Sequence, residues 1–256
     1  MVHHAVVSQK EWTQARVSLL EKEKAQTRLR DAIAAERRAL PWVKVEKDYS
    51  FDTEDGPRSL SDLFDGRSQL IIKHFMFGPE WSEGCTGCSF EMDHFEGAML
   101  HIPHHDLTLV AVSRAPLKEL LKFRQRMGWT IPWVSSASSD FNFDFGVSFT
   151  EEQRAAGRVV YNYREENFQI DELSGLSVFY KDEDGVVYHT YSTFGRGAEE
   201  ILTSYMLLDL TPKGRNETGP NHNLTDWVLH HDRYGDNGQV ANADRIEAEA
   251  GACCKS

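Results

Sequence analysis

This sequence predicts an α/β fold: a mixed sheet with flanking helices, preceded by a long N-terminal helical extension. Three observations carry the prediction. Short apolar runs alternate with helical spacing between residues 70 and 134 in the order β-α-β-α-β, the pattern of parallel strands covered by helices. Two β-rich runs then flank Lys181-Asp182-Glu183-Asp184-Gly185, which predicts an antiparallel hairpin added to the parallel part. Ahead of both, residues 8–41 keep a helical stripe among many charges.

The elements follow in order. Ser8-Gln9-Lys10-Glu11 is a capping box, and helical spacing from Trp12 lasts until Pro41. The stripe of Trp12, Leu19, Leu29 and Ile33 suits packing across the chain's own domain or a dimer arm, and both readings stand. Alternation over residues 42–51 predicts a strand, and a short helical turn is expected at residues 60–64. Residues 70–77, closed by Gly78-Pro79, read as a buried strand, and residues 89–101 as a helix. Residues 107–112 are a second buried strand, and 117–127 a helix stopped by Gly128. Pro132 makes the run 129–134 an interrupted or edge strand. Phe141, Phe143 and Phe145, at period two, predict a strand or extended loop over 140–148. A polar helix at 150–157 and an extra strand at 159–163 follow. The hairpin pairs 177–180 with 186–191, and a last amphipathic helix covers 198–210 before Pro212. Residues 8–41 are thus the extension, 42–234 the α/β domain and 235–256 a Gly/Asn/Ala-rich tail expected to be flexible.

Composition narrows the partners. The 256 residues are 40% hydrophobic and 27% charged, as in ordinary globular proteins. A formal net charge of -12 argues against nucleic acid or an anionic membrane as main partner. No apolar run is long enough to span a bilayer, and the start of the chain lacks a signal-peptide core. Four cysteines in two close pairs do not make a secreted disulfide scaffold, so a cytoplasmic protein with one working dithiol is expected.

The dithiol is Cys85-Thr86-Gly87-Cys88, set between the first buried strand and its helix. Two cysteines three apart at the first turn of a helix share a face, near enough for a disulfide. The unpaired N–H groups of a helix start favour an anion, so the outer thiol, Cys85, is expected to ionise readily. A thiolate attacks disulfides and peroxides. Glu80 and Glu83 oppose that ionisation if they sit nearby. A half zinc site is the competing reading, but it needs a second ligand pair and the chain has no second Cys-x-x-Cys. The strand before and the helix after favour redox chemistry, with no cofactor expected.

Parallel β-α-β, a crossing helix, a hairpin and a closing helix with Cys-x-x-Cys at the first helix resemble the thioredoxin order. Longer phrases sharpen this: Lys73-His74-Phe75-Met76-Phe77-Gly78-Pro79, Gly84-Cys85-Thr86-Gly87-Cys88-Ser89-Phe90, Val112-Ser113-Arg114-Ala115-Pro116 and His189-Thr190-Tyr191-Ser192. With Arg37-Arg38-Ala39-Leu40-Pro41-Trp42 and Leu208-Asp209-Leu210-Thr211-Pro212, they resemble domain-of-unknown-function family 899, a bacterial, thioredoxin-like family, over about residues 8–234. The resemblance implies a thioredoxin-like fold and a dithiol–disulfide oxidoreductase or thiol peroxidase. In that role Cys85 attacks, Cys88 resolves, and the substrate is a thiol or disulfide, a protein among the candidates. Thioredoxins carry a cis-proline opposite the dithiol; the corresponding Leu173-Ser174-Gly175-Leu176-Ser177 has none, which leaves room for a specialised peroxidase or a metal site.

Other candidates surround the pair. Trp81 is an apolar rim for a substrate or a core residue, at even odds. Gly175, Leu176 and Ser177 form the loop expected to shape the substrate groove. Arg114, at the C-terminal end of a parallel strand, is placed to hold an anionic group, though a structural ion pair is the commoner fate. His189 is a candidate base for Cys88 or, with Cys85 and Cys88, a third ligand for copper or zinc; a hydrogen-bonded sheet histidine is the commoner fate. The runs His101–Asp106 and His230-His231-Asp232 read as solvated, and Cys253-Cys254 as an incidental pair in the tail. Two rival functions therefore remain: a metal-binding or copper-delivery protein, and a non-catalytic module dimerising through the N-terminal helix.

Overall fold

The structure is a computed structural model in which residues 4–235 are described. Two units divide the chain, one ending at Trp42 and one beginning at Val43. In the first, α1 (Gln9–Arg38) starts at Ser8, whose side chain accepts from Glu11 N while the Glu11 carboxylate accepts from Ser8 N and Oγ. At about 1.5 Å per residue α1 is about 45 Å long. None of its residues is buried, and Trp12, Val17, Leu19, Leu29 and Ile33 are exposed.

The second unit is built on one eight-stranded sheet. Its strands are β1 (Val43–Lys44), β2 (Ser50–Thr53), β3 (Gly56–Ser59), β4 (Gln69–His74), β5 (Leu107–Ser113), β6 (Trp133–Ser135), β9 (Gly175–Lys181) and β10 (Val187–Phe194). A separate hairpin joins β7 (Val159–Tyr161) and β8 (Arg164–Glu166). The helices are α2 (Thr86–Ala98), α3 (Leu117–Met127), α4 (Phe141–Asp144), α5 (Glu151–Ala155) and α6 (Thr203–Leu208). The sheet order is β1-β10-β9-β4-β5-β6-β2-β3, with β4 parallel to β5, β5 parallel to β6, and β9 antiparallel to both β4 and β10. A central strand leading into the Cys-x-x-Cys helix, with a parallel neighbour on one side and a hairpin on the other, is the thioredoxin-like arrangement.

Strand β4 sits at the middle of this sheet and is covered on both faces, which is why its sequence is a nearly unbroken apolar run. Its side chains alternate. Ile71 and Phe75 belong to the core beneath α2 and α3, with Met92, Phe95, Phe123 and Trp133. Leu70 and Ile72 belong to the opposite core, with Phe51, Phe64, Phe141 and Phe179. Lys73 and His74 take the two faces in turn, so each face receives one buried polar group.

Three expectations are corrected. Phe141, Phe143 and Phe145 lie not in a strand but in and beside the single helical turn α4; Phe141 and Phe145 are four apart, stack on each other and cover His74. The expected helix 198–210 is broken into a 3-10 segment, Gly195–Ile201, and α6, with Leu202 extended between them. There His94 Nε2 accepts from Ser204 N, which satisfies a helix-start donor from outside. Gly175, Leu176 and Ser177 are not a loop: they are the first residues of β9, and all three are buried. The tail, with Cys253 and Cys254, lies outside the described residues.

Candidate active site

The turn into α2 is fixed by backbone bonds and by one glycine. Cys85 N donates to Met76 O at 3.0 Å, which folds residues 76–85 back on themselves. A Cβ on Gly84 would stand 2.6 Å from Phe75 Cε1, so only glycine lets the chain pass this ring on its way to Cys85. Gly84→Ala is therefore expected to cost about 1–3 kcal/mol by overpacking. Urea unfolding reads it directly, and unchanged stability would show that the Phe75 ring yields.

Cys85 is the N-cap of α2 and partly exposed; Cys88 is in its first turn and buried. Both are free thiols, near enough for each to act on the ionisation of the other. Around them the charges are unequal. Cys88 Sγ accepts from Met76 N at 3.4 Å, and the Lys73 ammonium lies close enough to act on it. Burial opposes ionisation of Cys88, but the hydrogen bond from Cys85 and the Lys73 charge outweigh it, and its thiol falls below the ordinary range. Cys85, as donor in that bond and buried at its sulfur, is pushed up, although the N–H groups of Cys88 and Gly87 pull the other way. The negative charge of the reduced pair thus rests on the inner sulfur. The helix start alone favours charge on Cys85; Lys73, brought in from the neighbouring strand, favours it on Cys88.

Lys73 is the residue that sequence reasoning missed. It is 0% exposed, in the middle of the sheet, and its Nζ bonds Glu91 and the hydroxyl of Ser174. Desolvation works against its charge, but Glu91 first and the two cysteines after it hold the ammonium. Glu91 is three residues after Cys88, on the same face of α2. One signal was present: a lysine inside a buried apolar strand must be paired, and it has to be paired across to a neighbouring element.

The other predicted residues separate into groups. Trp81 packs against the core that holds the cysteines, and a Cβ on Gly78 would lie 2.8 Å from its Nε1 and 3.2 Å from Asp171 Oδ2. Leu176 belongs to the same core. Gly175 is enclosed by Phe194, 2.6 Å from where its Cβ would stand. Arg114 pairs with buried Glu172 at 2.8 Å and lies over the Phe143 ring, the structural fate weighed for it. The proposed ligand set Cys85, Cys88 and His189 is not brought together. A bulge in β10 lets both His189 and Ser192 reach the face opposite the dithiol, where His189 packs on Phe145 and Phe179. Its Nε2 meets Ser192 Oγ at 2.7 Å, Ser192 Oγ meets Ser177 Oγ at 2.8 Å, and Ser177 Oγ meets His74 Nε2 at 2.8 Å. Among the described residues no group of three or more His, Cys, Asp and Glu is arranged to hold a metal ion.

His104 and His105 are exposed, as expected, and Asp106 bonds Ser68. His230 is the exception among the histidines expected to be solvated. It is buried, and its Nε2 bonds Gly84 O at 2.9 Å, one residue from Cys85. Glu83, expected to oppose the thiolate, is itself neutralised: Arg126 and Arg233 both bond it, and Arg126 also forks onto Asp232.

No helix among the described residues is long and apolar enough to cross a membrane. No curated protein matches the chain. Among solved structures, peroxidoxin BcpB from Mycobacterium tuberculosis is 18% identical, with a TM-score of 0.43, over 64% of this chain and 95% of its own. A cysteine mutant of peroxiredoxin Q from Xanthomonas campestris is 14% identical, with a TM-score of 0.42, over 62% and 90%. A PrxQ cysteine mutant from Xylella fastidiosa is 14% identical, with a TM-score of 0.42, over 65% and 94%. No residue role follows from likenesses this distant. The model of the family described as "Bacterial protein of unknown function (DUF899)" matches residues 1–234, and the chain belongs to that family.

Proposed function

We propose that the protein is a dithiol–disulfide oxidoreductase in which Cys85 attacks and Cys88 resolves. The observation that carries this reading is the free Cys85–Cys88 pair at the start of α2, the inner sulfur accepting from Met76 N and the buried Lys73 near enough to act on it. The pair holds one shared proton. Moving it from Cys85 to Cys88 charges the outer sulfur, which the N–H groups of Gly87 and Cys88 stabilise and which belongs to the partly exposed residue of the pair. That thiolate attacks a substrate disulfide, forming a mixed disulfide and releasing one thiolate. Cys88 gives its proton to the departing thiolate and, charged again and held near the positive charge of Lys73, attacks Cys85 Sγ, closing the internal disulfide and releasing the second thiolate. Two electrons pass from the dithiol to the substrate.

Cys85→Ser is expected to abolish exchange with any disulfide, and Cys88→Ser to stop at the mixed disulfide, which mass spectrometry of the intact protein reads as an adduct. Mild oxidation of the native protein should give a Cys85–Cys88 bond. Full turnover by Cys85→Ser would remove this mechanism.

A further inference from the structure

We infer that residues 224–234 wall the dithiol and restrict it to small soluble disulfides, turning away disulfides carried by proteins. This rests on the oxidoreductase reading and names its substrate class. A Cβ on Gly87 would stand 3.2 Å from Leu224 Cδ1 and 3.8 Å from Cys85 Sγ, so the leucine and the outer sulfur meet across a glycine. The segment is held there at two points. Leu224, Trp227 and Val228 join Phe90, Leu202 and Tyr205 in a small core on α2, with the Phe90 and Trp227 ring centroids 5.6 Å apart. Further on, His230 bonds Gly84 O, Asp232 takes Arg126 in two bonds, and Arg233 takes Glu83 in two. The segment therefore grips the residue before Cys85 and the turn of helix after it.

A peptide substrate that docks by adding a strand needs free backbone N–H and C=O groups beside the reacting atom. Many of the groups around the sulfurs are already taken. Gly84 O accepts from His230, Cys85 N donates to Met76 O, and Met76 N donates to Cys88 Sγ. Phe77 O accepts from Ala115 N and Gly78 O from Trp81 N. Ser174 O accepts from the hydroxyl of Tyr161 at 2.7 Å, and Gly175 is paired within β9 between His74 and Phe194. What remains is the approach beside Cys85 and Trp81, both partly exposed residues, a gap suited to a disulfide without a folded protein around it.

The test is a single turnover of the fully reduced, full-length protein with bis(2-hydroxyethyl) disulfide and, separately, with insulin. The wall is loosened in two independent ways: Asp232→Ala with Arg233→Ala, which frees the latch, and Leu224→Ala, which removes the side chain over Gly87. Each is expected to raise the insulin rate relative to the small-disulfide rate by about tenfold, a barrier change of about 1.4 kcal/mol. The latch variant should leave the small-disulfide rate within about twofold of native. Native protein that reduces insulin as readily as both variants do overturns the wall and leaves the oxidoreductase reading standing. No exchange with either disulfide overturns both.

Discussion

Lys73→Met is expected to destabilise the protein by about 3 kcal/mol or more, because it strands the Glu91 carboxylate against a side chain that cannot pair with it. Lys73 Nζ is held by Glu91 and the Ser174 hydroxyl, with Cys88 near enough to feel its charge, and the Glu91 side chain is only 13% exposed. Lys73→Met combined with Glu91→Leu should recover most of the loss, since a buried pair replaced as a whole leaves no lone charge. A second readout separates packing from electrostatics. Lys73 draws the Cys88 thiol down, so Lys73→Met should move the first ionisation of the dithiol to higher pH. Glu91 acts on Cys88 with the opposite sign, so Glu91→Gln should move it to lower pH. The pH dependence of alkylation by iodoacetamide measures both. Shifts in the same direction for the two variants would show that the pair acts on the sulfurs only through packing.

Glu172→Gln is expected to change the pH dependence of stability by about 3 kcal/mol between pH 5 and pH 8. Burial pushes the Glu172 carboxyl up to about 7, with Ser148 and Arg114 offsetting only part of the penalty. The sign follows from linkage: between about 4.5 and about 7 the folded protein binds this proton more tightly than the unfolded chain does. Stability from this group is therefore complete below about 4.5 and is lost as the pH rises through about 7. At about 1.4 kcal/mol per pK unit the loss is about 3 kcal/mol. Glutamine keeps the shape and cannot ionise, so urea unfolding of the variant should lose this slope and gain on the native protein above neutrality. An identical gap between the two proteins at pH 5 and pH 8 would place the Glu172 ionisation at its ordinary value.

The sequence made the local choices legible and the non-local ones opaque. Strands β4 and β5, helix α3 with its stop at Gly128, and the capping box at Ser8 all follow from signals within a few residues. The three phenylalanines after Asp140 misled because period two and the i, i+4 spacing of a helix both fit 141 and 145; the deciding fact was the flat cover they give His74, supplied by another strand. His189, weighed as a base or ligand because its strand can approach the dithiol, has the commoner fate of a hydrogen-bonded sheet histidine, on the face with Phe179. Cys85 and Cys88 could be named from spacing alone. Lys73, Glu91, Leu224 and His230 could not, because each acts on the pair from an element whose place depends on the finished fold.

The line of polar groups running from His189 to His74 behaves like a row of turnstiles: every hydrogen in it must face the same way. Its direction is set at the outer end. His189 Nε2 is 3.1 Å from Tyr191 O, an acceptor only, so that nitrogen carries hydrogen and gives it to both Tyr191 O and Ser192 Oγ. In a line that runs one way, Ser192 gives to Ser177 and Ser177 to His74 Nε2, an arrangement with the inner imidazole protonated on Nδ1, the nitrogen without a protein partner. A backbone carbonyl at the margin of the sheet is thereby linked, through one imidazole and two hydroxyls, to a ring at its centre, next in sequence to Lys73.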